Sequence, residues 1–242
     1  MDIQVNSLER WMPYLELLSK MSVFYSAVFF DMDGLFVNSE PVWLTAETEL
    51  MARYGYEWKT DDQDACLGGP LSRVGEYMFD KSGGRENPQF FTDEVIDLMS
   101  KKLADGVPVM PGALELLSSL KNNGIKTALV SASPRVLVDA VLNRYSQHTF
   151  EFSISADDVQ HPKPNPEAYL AAASRLNVDI TNCLILEDSP NGVTAATSSG
   201  AITIAVPHFV AIEPRPRLRV IKTLEELNYL NLFISYEQDR LV

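Results

Sequence analysis

Short apolar segments recur along the chain, and each one stops at small or polar residues before a stretch with helical spacing begins. Apolar runs of this length are typical of strands buried on both faces of a parallel sheet. The predicted strands cover residues 24–30, 126–130, 152–155, 183–186 and 202–206. The predicted helices between them, each with proline near its first residue, cover residues 111–123, 134–142, 166–176 and 190–199. This alternation predicts an α/β fold with a Rossmann-like parallel sheet and helices on both faces.

The alternation stops between residues 39 and 110, where helical patterns occur without a convincing strand. Helices are expected there at residues 41–54, 71–80 and 92–105. We therefore expect a helical insertion at residues 39–110 and a discontinuous core formed by residues 1–38 and 111–242. A short strand near Val220 and a helix from Leu224 complete the predicted core.

Residues 1–22 precede the first predicted strand as an N-terminal extension. Apolar residues such as Leu8 and Trp11 fall at helical spacing, which predicts a short amphipathic helix. The early acidic residue Glu9 interrupts the apolar core that a signal peptide needs. The alternative to the amphipathic helix is a poorly ordered leader ahead of an internal start such as Met21. No apolar run reaches the roughly 18 residues of a membrane span. The two cysteines are far apart, which favours reduced thiols and a cytoplasmic location.

The 20 lysines and arginines are outnumbered by 33 aspartates and glutamates, so the formal net charge is −13. This balance argues against sequence-independent binding to DNA or RNA, which needs clustered cations to replace phosphate counterions. It equally disfavours docking on an anionic membrane. A small anionic substrate would have to be held by local charges, because the global field repels it. We expect small-molecule chemistry performed by a monomer or a weak homodimer.

Two carboxylates follow the first predicted strand in the sequence Asp31-Met32-Asp33-Gly34. Residues two apart on a strand face the same way, so Asp31 and Asp33 are both expected to point into the crevice at the strand's end. Gly34 allows the chain to turn sharply afterwards. Such a pair suits chemistry in which one carboxylate attacks while the other carries a proton. A pair of solvated loop aspartates is the alternative.

Three further strand ends carry polar side chains suited to phosphate or metal chemistry. Ser131 follows the second predicted strand and can donate its hydroxyl to a phosphate oxygen, while the flanking prolines restrict the reach of the Lys163 ammonium. Glu187 and Asp188 follow the strand at residues 183–186, and beside the first aspartate they form a hard oxygen site of the kind that Mg²⁺ prefers. The alternatives are a helix cap at Ser131 or Ser133, a helix cap at Asp188 and a solvated lysine at 163.

Together, the four motifs resemble those of the haloacid-dehalogenase-like hydrolase superfamily, in the branch of β-phosphoglucomutase-like sugar phosphatases with an α-helical cap. The segment DMDGLFVNSEP is similar to the first family motif, Ser131 to the second, Lys163 in HPKPNPEAY to the third and EDSPNGV to the fourth. The resemblance covers about residues 24–206 and is strongest to the 2-deoxyglucose-6-phosphate and hexitol phosphatases. It implies that residues 39–110 are the cap.

The resemblance implies a Mg²⁺-dependent phosphatase that hydrolyses small phosphorylated metabolites such as sugar or polyol phosphates. Asp31 would attack phosphorus and form an aspartyl-phosphate, while Asp33 would act as general acid and then general base. The implied Mg²⁺ ligands are Asp31, Asp188 and the backbone carbonyl of Asp33. Glu187 would either bind the ion directly or contact one of its ligands. The implied catalytic and phosphate-binding groups are the Ser131 hydroxyl, the Ala132 N–H and the Lys163 ammonium.

Residues 67–73 match the substrate-specificity loop of the family, so Arg73 and the hinge residue Glu40 are expected to bind substrate. A surface position for Arg73 and helix packing for Glu40 are the alternatives. Trp43 stands where β-phosphoglucomutases have a hinge histidine, and indole exchanges no proton near neutral pH. This favours hydrolysis over mutase activity. The same motifs leave open a phosphoglycolate-type phosphatase and a catalytically silent protein that binds a phosphorylated ligand.

Overall fold

The computed structural model describes residues 25–66, 69–145, 150–229 and 231–232. A six-stranded sheet forms the centre of the described chain, with every neighbouring pair of strands parallel. Its strands are β1 (Ala27–Phe30), β2 (Lys126–Val130), β3 (Phe152–Ile154), β4 (Cys183–Glu187), β5 (Ile202–Ala205) and β6 (Leu218–Val220). The spatial order is β3-β2-β1-β4-β5-β6, so the chain winds outward in both directions from β1. The predicted Rossmann-like parallel sheet is confirmed.

Eight α-helices have their bounds described, five before β2 and three among the later strands. The first four are α1 (Glu40–Ala52), α2 (Thr60–Cys66), α3 (Leu71–Lys81) and α4 (Pro88–Asp105). The others are α5 (Ala113–Asn122), α6 (Arg135–Arg144), α7 (Glu167–Leu176) and α8 (Pro190–Ser198). Short 3₁₀ turns occur at Ala156–Asp158, Ile180–Asn182 and Leu224–Glu226. None of the described helices combines the length and the apolar character needed to cross a membrane.

Two apolar clusters cover the two faces of the sheet, because successive side chains of a strand point to opposite faces. Val28 and Phe30 of β1 belong to the larger cluster, which continues through α5 and α6 into the four helices between residues 40 and 105. Phe29 packs on the opposite face with Tyr169 of α7 and alanines of α8. All four residues of β1 are fully buried, so the central strand reads as a continuous apolar run.

Several boundaries differ from the sequence predictions. The short helix α2 was not predicted, because its sequence TDDQDAC is polar and buries only Asp62 and Cys66. Helix α4 begins at Pro88, four residues earlier than predicted, with the Asn87 side chain accepting a hydrogen bond from the Phe90 N–H at 2.9 Å. The helix predicted from Leu224 is a single 3₁₀ turn at its start. The predicted amphipathic N-terminal helix lies outside the described residues.

Candidate active site

The register of the three central strands brings the predicted motifs to one edge of the sheet. Phe30 of β1 is paired with Leu129 of β2 on one side and with Leu186 of β4 on the other. The residue after each of these therefore lies at the same level, which places Asp31 between Val130 and Glu187. The direction of winding changes at β1, and α/β sheets bind ligands outside the carboxyl ends of their strands at such a point.

Lys163 links the three strand ends. Its side chain is 3% exposed, and its Nζ donates to Asp31 Oδ1 at 2.6 Å, Glu187 Oε1 at 2.7 Å and the Val130 carbonyl at 2.8 Å. Burial disfavours the ammonium, but the carboxylates of Asp31 and Glu187 outweigh it and raise the pKa of Lys163 above its usual value. Lys163 is therefore a fixed positive charge that uses all three of its donors within the protein.

Asp33 is oriented by two serines from different parts of the chain. Ser39, just before α1, donates to Asp33 Oδ1 at 2.7 Å, and Ser133 donates to Oδ2 at 2.8 Å. Ser131 is buried, lies 3.4 Å from the same Oδ2, and its hydroxyl accepts the Ser133 N–H at 2.9 Å. Both oxygens of Asp33 are thus held, and the side chain bridges the sheet edge and the start of the helical insertion.

Glu187 is fully buried at the end of β4 and its two oxygens are used by different groups. Tyr169 Oη donates to Oε1 at 2.5 Å, where Lys163 also binds, and the Asp188 N–H donates to Oε2 at 3.2 Å. Glycine is required at 192, because a Cβ there would lie 1.9 Å from Glu187 Oε2. This carboxylate is consequently locked in position.

Asp31, Glu187 and Asp188 form a group of carboxylates that could hold a metal ion, with one oxygen from each within 4.8 Å of the others. Burial raises the pKa of Asp31 to about 8 against the attraction of Lys163. Burial, with the charges of Asp31 and Glu187, also holds the pKa of Asp188 well above its usual value. Among the described residues no donor reaches the Asp188 carboxylate. Three hard oxygen donors with incomplete charge compensation fit a divalent cation such as Mg²⁺.

The backbone around the first motif is shaped to approach this group. Gly34 has a φ of +79°, which side chains rarely adopt, and a Cβ there would lie 2.2 Å from Asp188 Oδ2. Glycine at 34 therefore allows the turn after Asp33 and the close packing of two motifs that are far apart in sequence.

A cavity of about 530 Å³ lies between the strand ends and the helical insertion. From the strand ends it is lined by Asp31, Asp33, Ala132, Ser133, Lys163 and Asp188. From the helices it is lined by Glu40, Trp43, Glu47, Gln63 and Cys66, and from the predicted specificity loop by Gly69, Pro70 and Leu71. Positions 67 and 68 of that loop lie outside the described residues. The predicted residues Glu40 and Ala132 thus line the same space as the carboxylates.

Arg73, a predicted substrate-binding residue, lies in the first turn of α3. It is exposed and does not belong to the described lining of the cavity. Its Nη2 donates to the Ala65 carbonyl at 2.8 Å, and a Cβ at position 69 would lie 2.5 Å from its Cζ. The guanidinium therefore packs beside Gly69 and the last turn of α2.

Sequence reasoning missed several residues that shape the site. Ser39 lies inside the first quoted motif and Ser133 follows Ser131 by two residues, so both positions could have been assigned to the site from the sequence. Glu47 and Gln63 carried no local signal, because both look like ordinary polar positions of helices. Their place in the cavity follows from tertiary packing.

The α/β sheet thus gathers carboxylates, a buried lysine and a serine at its switch point, where ligands of such sheets bind. Residues 28–206 match the family described as haloacid dehalogenase-like hydrolase. The chain belongs to this family and is therefore an enzyme of the hydrolase class.

Individual relatives confirm the predicted branch of the family. The chain is 32% identical over 184 residues to hexitol phosphatase B of Escherichia coli K12, covering 75% of this chain and 83% of that protein. It is 29% identical over 175 residues to a phosphorylated carbohydrates phosphatase of Thermotoga maritima, covering 72% of this chain and 81% of that protein. The structure of β-phosphoglucomutase from Clostridium difficile shares the fold, with a TM-score of 0.73 at 23% identity over 90% and 99% of the two chains.

Proposed function

We propose that this enzyme is a Mg²⁺-dependent phosphoric monoester hydrolase that acts on small sugar or polyol phosphates through an aspartyl-phosphate. The observation that carries the proposal is the Lys163 ammonium, which joins Asp31 Oδ1 and Glu187 Oε1 at the floor of the cavity. Its position fixes Asp31 and leaves the second oxygen of that carboxylate available for attack. The relatives named as phosphatases of hexitols and phosphorylated carbohydrates support the same class of substrate.

Asp31 is the nucleophile of the proposed first step. Its carboxylate oxygen forms a bond to phosphorus while the bond between phosphorus and the ester oxygen breaks. In the second step water attacks the same phosphorus, and the bond to Asp31 breaks to release inorganic phosphate. Lys163 holds the carboxylate in place through both steps, and the Ser131–Ala132 turn presents donors to the phosphate oxygens.

Asp33 carries the proton in both steps. As general acid it donates to the departing alkoxide, and as general base it then accepts a proton from the attacking water. The hydrogen bonds from Ser39 and Ser133 hold its two oxygens in one orientation toward the cavity. One serine belongs to the sheet edge and the other to the start of the helices. The orientation of the Asp33 carboxyl group therefore depends on both parts of the chain.

The proposed Mg²⁺ ligands are Asp31, the backbone carbonyl of Asp33, Asp188 and Glu187. The fit rests on the three carboxylate oxygens within 4.8 Å and on the Asp188 carboxylate, which lacks a donor among the described residues. When bound, the ion would supply positive charge against the negative charge of the transferring phosphoryl group.

We propose that residues 39–110, with helices α1–α4, act as the cap and that residues before 39 and after 110 form the core. The mutase alternative is disfavoured by Trp43, which lines the cavity where a mutase would need a proton-exchanging side chain. The phosphoglycolate alternative is disfavoured by charge. A substrate carboxylate would face Glu40 and Glu47, and Lys163 is the one cationic side chain in the described lining.

The proposal is tested by measuring phosphate release from a panel of phosphometabolites, with added Mg²⁺ and with excess chelator. We expect Mg²⁺-dependent release, fastest for neutral sugar and polyol monophosphates. Production of glucose 6-phosphate from β-glucose 1-phosphate without phosphate release would favour the mutase. Binding of phosphorylated ligands without any turnover would favour the silent binding protein.

A further inference from the structure

We propose that Glu47 is a specificity-determining residue whose free carboxyl oxygen binds a hydroxyl group of the sugar or polyol part of the substrate. The proposal rests on the phosphatase function above and concerns the helical wall of the cavity rather than the strand ends. Glu47 lies on α1, lines the cavity and is only 3% exposed. Buried glutamates are rare unless a partner compensates them, so this side chain calls for an explanation.

One oxygen of Glu47 has its partner within the protein. Trp58 Nε1 donates to Oε2 at 3.0 Å. The indole is itself held edge-on by two aromatic rings, with centroids 6.3 Å from that of Tyr56 and 5.7 Å from that of Tyr77. Both tyrosines donate their hydroxyls to Asp62 Oδ1, at 2.9 and 2.8 Å. The carboxyl group of Glu47 is therefore held in one orientation by a network behind the cavity wall.

The other oxygen, Oε1, receives no hydrogen bond from the described residues. Burial, partly offset by the Trp58 hydrogen bond, raises the pKa of Glu47 to about 8, and the nearby charge of Glu40 adds to it. A hydroxyl group can donate to a carboxylate and can also accept from a carboxylic acid, so it satisfies Oε1 in either protonation state. A substrate hydroxyl is thus the complement that this atom lacks.

The neighbouring side chains suit a ligand with several hydroxyls. Gln63 Nε2 lies 3.3 Å from both the backbone carbonyl and Oε2 of Glu40, and these two residues line the cavity beside Glu47. Together they offer carboxyl and amide acceptors with one amide donor, and no cation from the described lining stands on this side. Sites built to bind hydroxyl groups reject analogues that lack them, because their buried polar atoms then stay unpaired.

The test compares two phosphate esters that share the reacting group and differ in hydroxyls, glucitol 6-phosphate and p-nitrophenyl phosphate. For Glu47→Ala we expect kcat/KM for glucitol 6-phosphate to fall about 10- to 100-fold, the range for a lost hydrogen bond to an ionisable group. For p-nitrophenyl phosphate we expect a change below about threefold, since no hydroxyl contact is lost. Glu47→Gln should lie between wild type and Glu47→Ala for glucitol 6-phosphate, because Trp58 orients its amide NH₂ toward the cavity.

Glu49→Ala is the matched control on the same helix. Glu49 is exposed and pairs with Arg53 and Lys102 outside the cavity, so its loss should leave both rates unchanged. Equal losses for both substrates in Glu47→Ala, or no loss for either, would overturn this proposal alone. Phosphoethanolamine, which carries an ammonium group in place of hydroxyls, is assayed as a third substrate. A loss in Glu47→Ala that is confined to this substrate would show that Glu47 binds a cation and would overturn the hydroxyl assignment. A wild-type enzyme that hydrolyses neither ester with Mg²⁺ would instead overturn the proposed function as well.

Discussion

The two walls of the cavity treat their acidic groups in opposite ways. At the strand ends, Asp31 and Glu187 share a buried lysine that contacts both within 2.7 Å. On the helical wall, Glu40 and Glu47 face the cavity without a cation from the described lining, and Glu47 is held by a neutral indole. The first arrangement positions charge for phosphoryl transfer, which is the same for every monoester. In the proposed function, the second contacts only the part of the substrate that differs from one monoester to another. Reaction and substrate selection would then be divided between the two walls.

The largest expected effect is that of replacing the proposed nucleophile at the strand ends. Asp31→Asn replaces the attacking carboxylate with a poor nucleophile and should lower kcat by about 10⁴-fold or more for every substrate. Steady-state phosphate release measures the rate, and thermal unfolding checks that the variant is folded. Turnover near the wild-type rate in a folded Asp31→Asn variant would refute the assignment and the division between the walls.

Lys163→Met should affect stability more than any change on the helical wall. Removing the ammonium leaves the buried Asp31 and Glu187 carboxylates uncompensated, which costs about 3–5 kcal/mol of the free energy of unfolding. Urea denaturation at pH 7 without divalent cations measures the loss. Lys101→Met is the matched control, because Lys101 forms an exposed pair with Asp97 that contributes below about 1 kcal/mol. Equal effects of the two variants would contradict the proposed role of Lys163.

The same division explains which parts of the molecule the sequence could predict. Asp31, Ser131 and Glu187 directly follow or end apolar strands, and parallel strands bring such positions to one edge, so a local pattern was sufficient. Glu47 occupies an ordinary polar position in α1, and its burial depends on Trp58, eleven residues later and outside that helix. Arg73 differs again: its residue type suggested a ligand, its guanidinium contacts the Ala65 carbonyl of α2, and its role in substrate binding stays a prediction.

Glu47 should also impose a pH dependence on stability that can be removed without altering the strand ends. Its pKa is about 8 in the folded protein and near 4.5 when unfolded, so the unfolded chain binds fewer protons between these values. Stability contributed through this group must therefore fall as pH rises from about 4.5 to 8. Glu47→Gln should remove that fall, so the stability of the variant relative to wild type should rise steadily between pH 5 and pH 8. The nearby Glu40 and Cys66 are unchanged in this comparison.

Urea denaturation of wild type and Glu47→Gln at pH 5, 6.5 and 8 measures the difference. Glu49→Gln serves as the control, because Glu49 is exposed on the same helix and pairs with Lys102 and Arg53. A stability difference between wild type and Glu47→Gln that stays constant over this pH range would show that Glu47 is already ionised, and the contrast between the two walls would weaken.

The smallest expected effect tests Asp33, where the two walls meet. Ser133→Ala removes the 2.8 Å hydrogen bond to Asp33 Oδ2 from the sheet side, and Ser39→Ala removes the 2.7 Å bond to Oδ1 from the helical side. Each should lower kcat by about tenfold with little change in KM, since a misoriented acid affects the transition state more than binding. The exposed Ser72→Ala in α3 is the control. A change in the ranking of substrates with Ser39→Ala but not with Ser133→Ala would contradict the proposed division between the walls. It would mean that the helical side affects substrate selection through the orientation of Asp33.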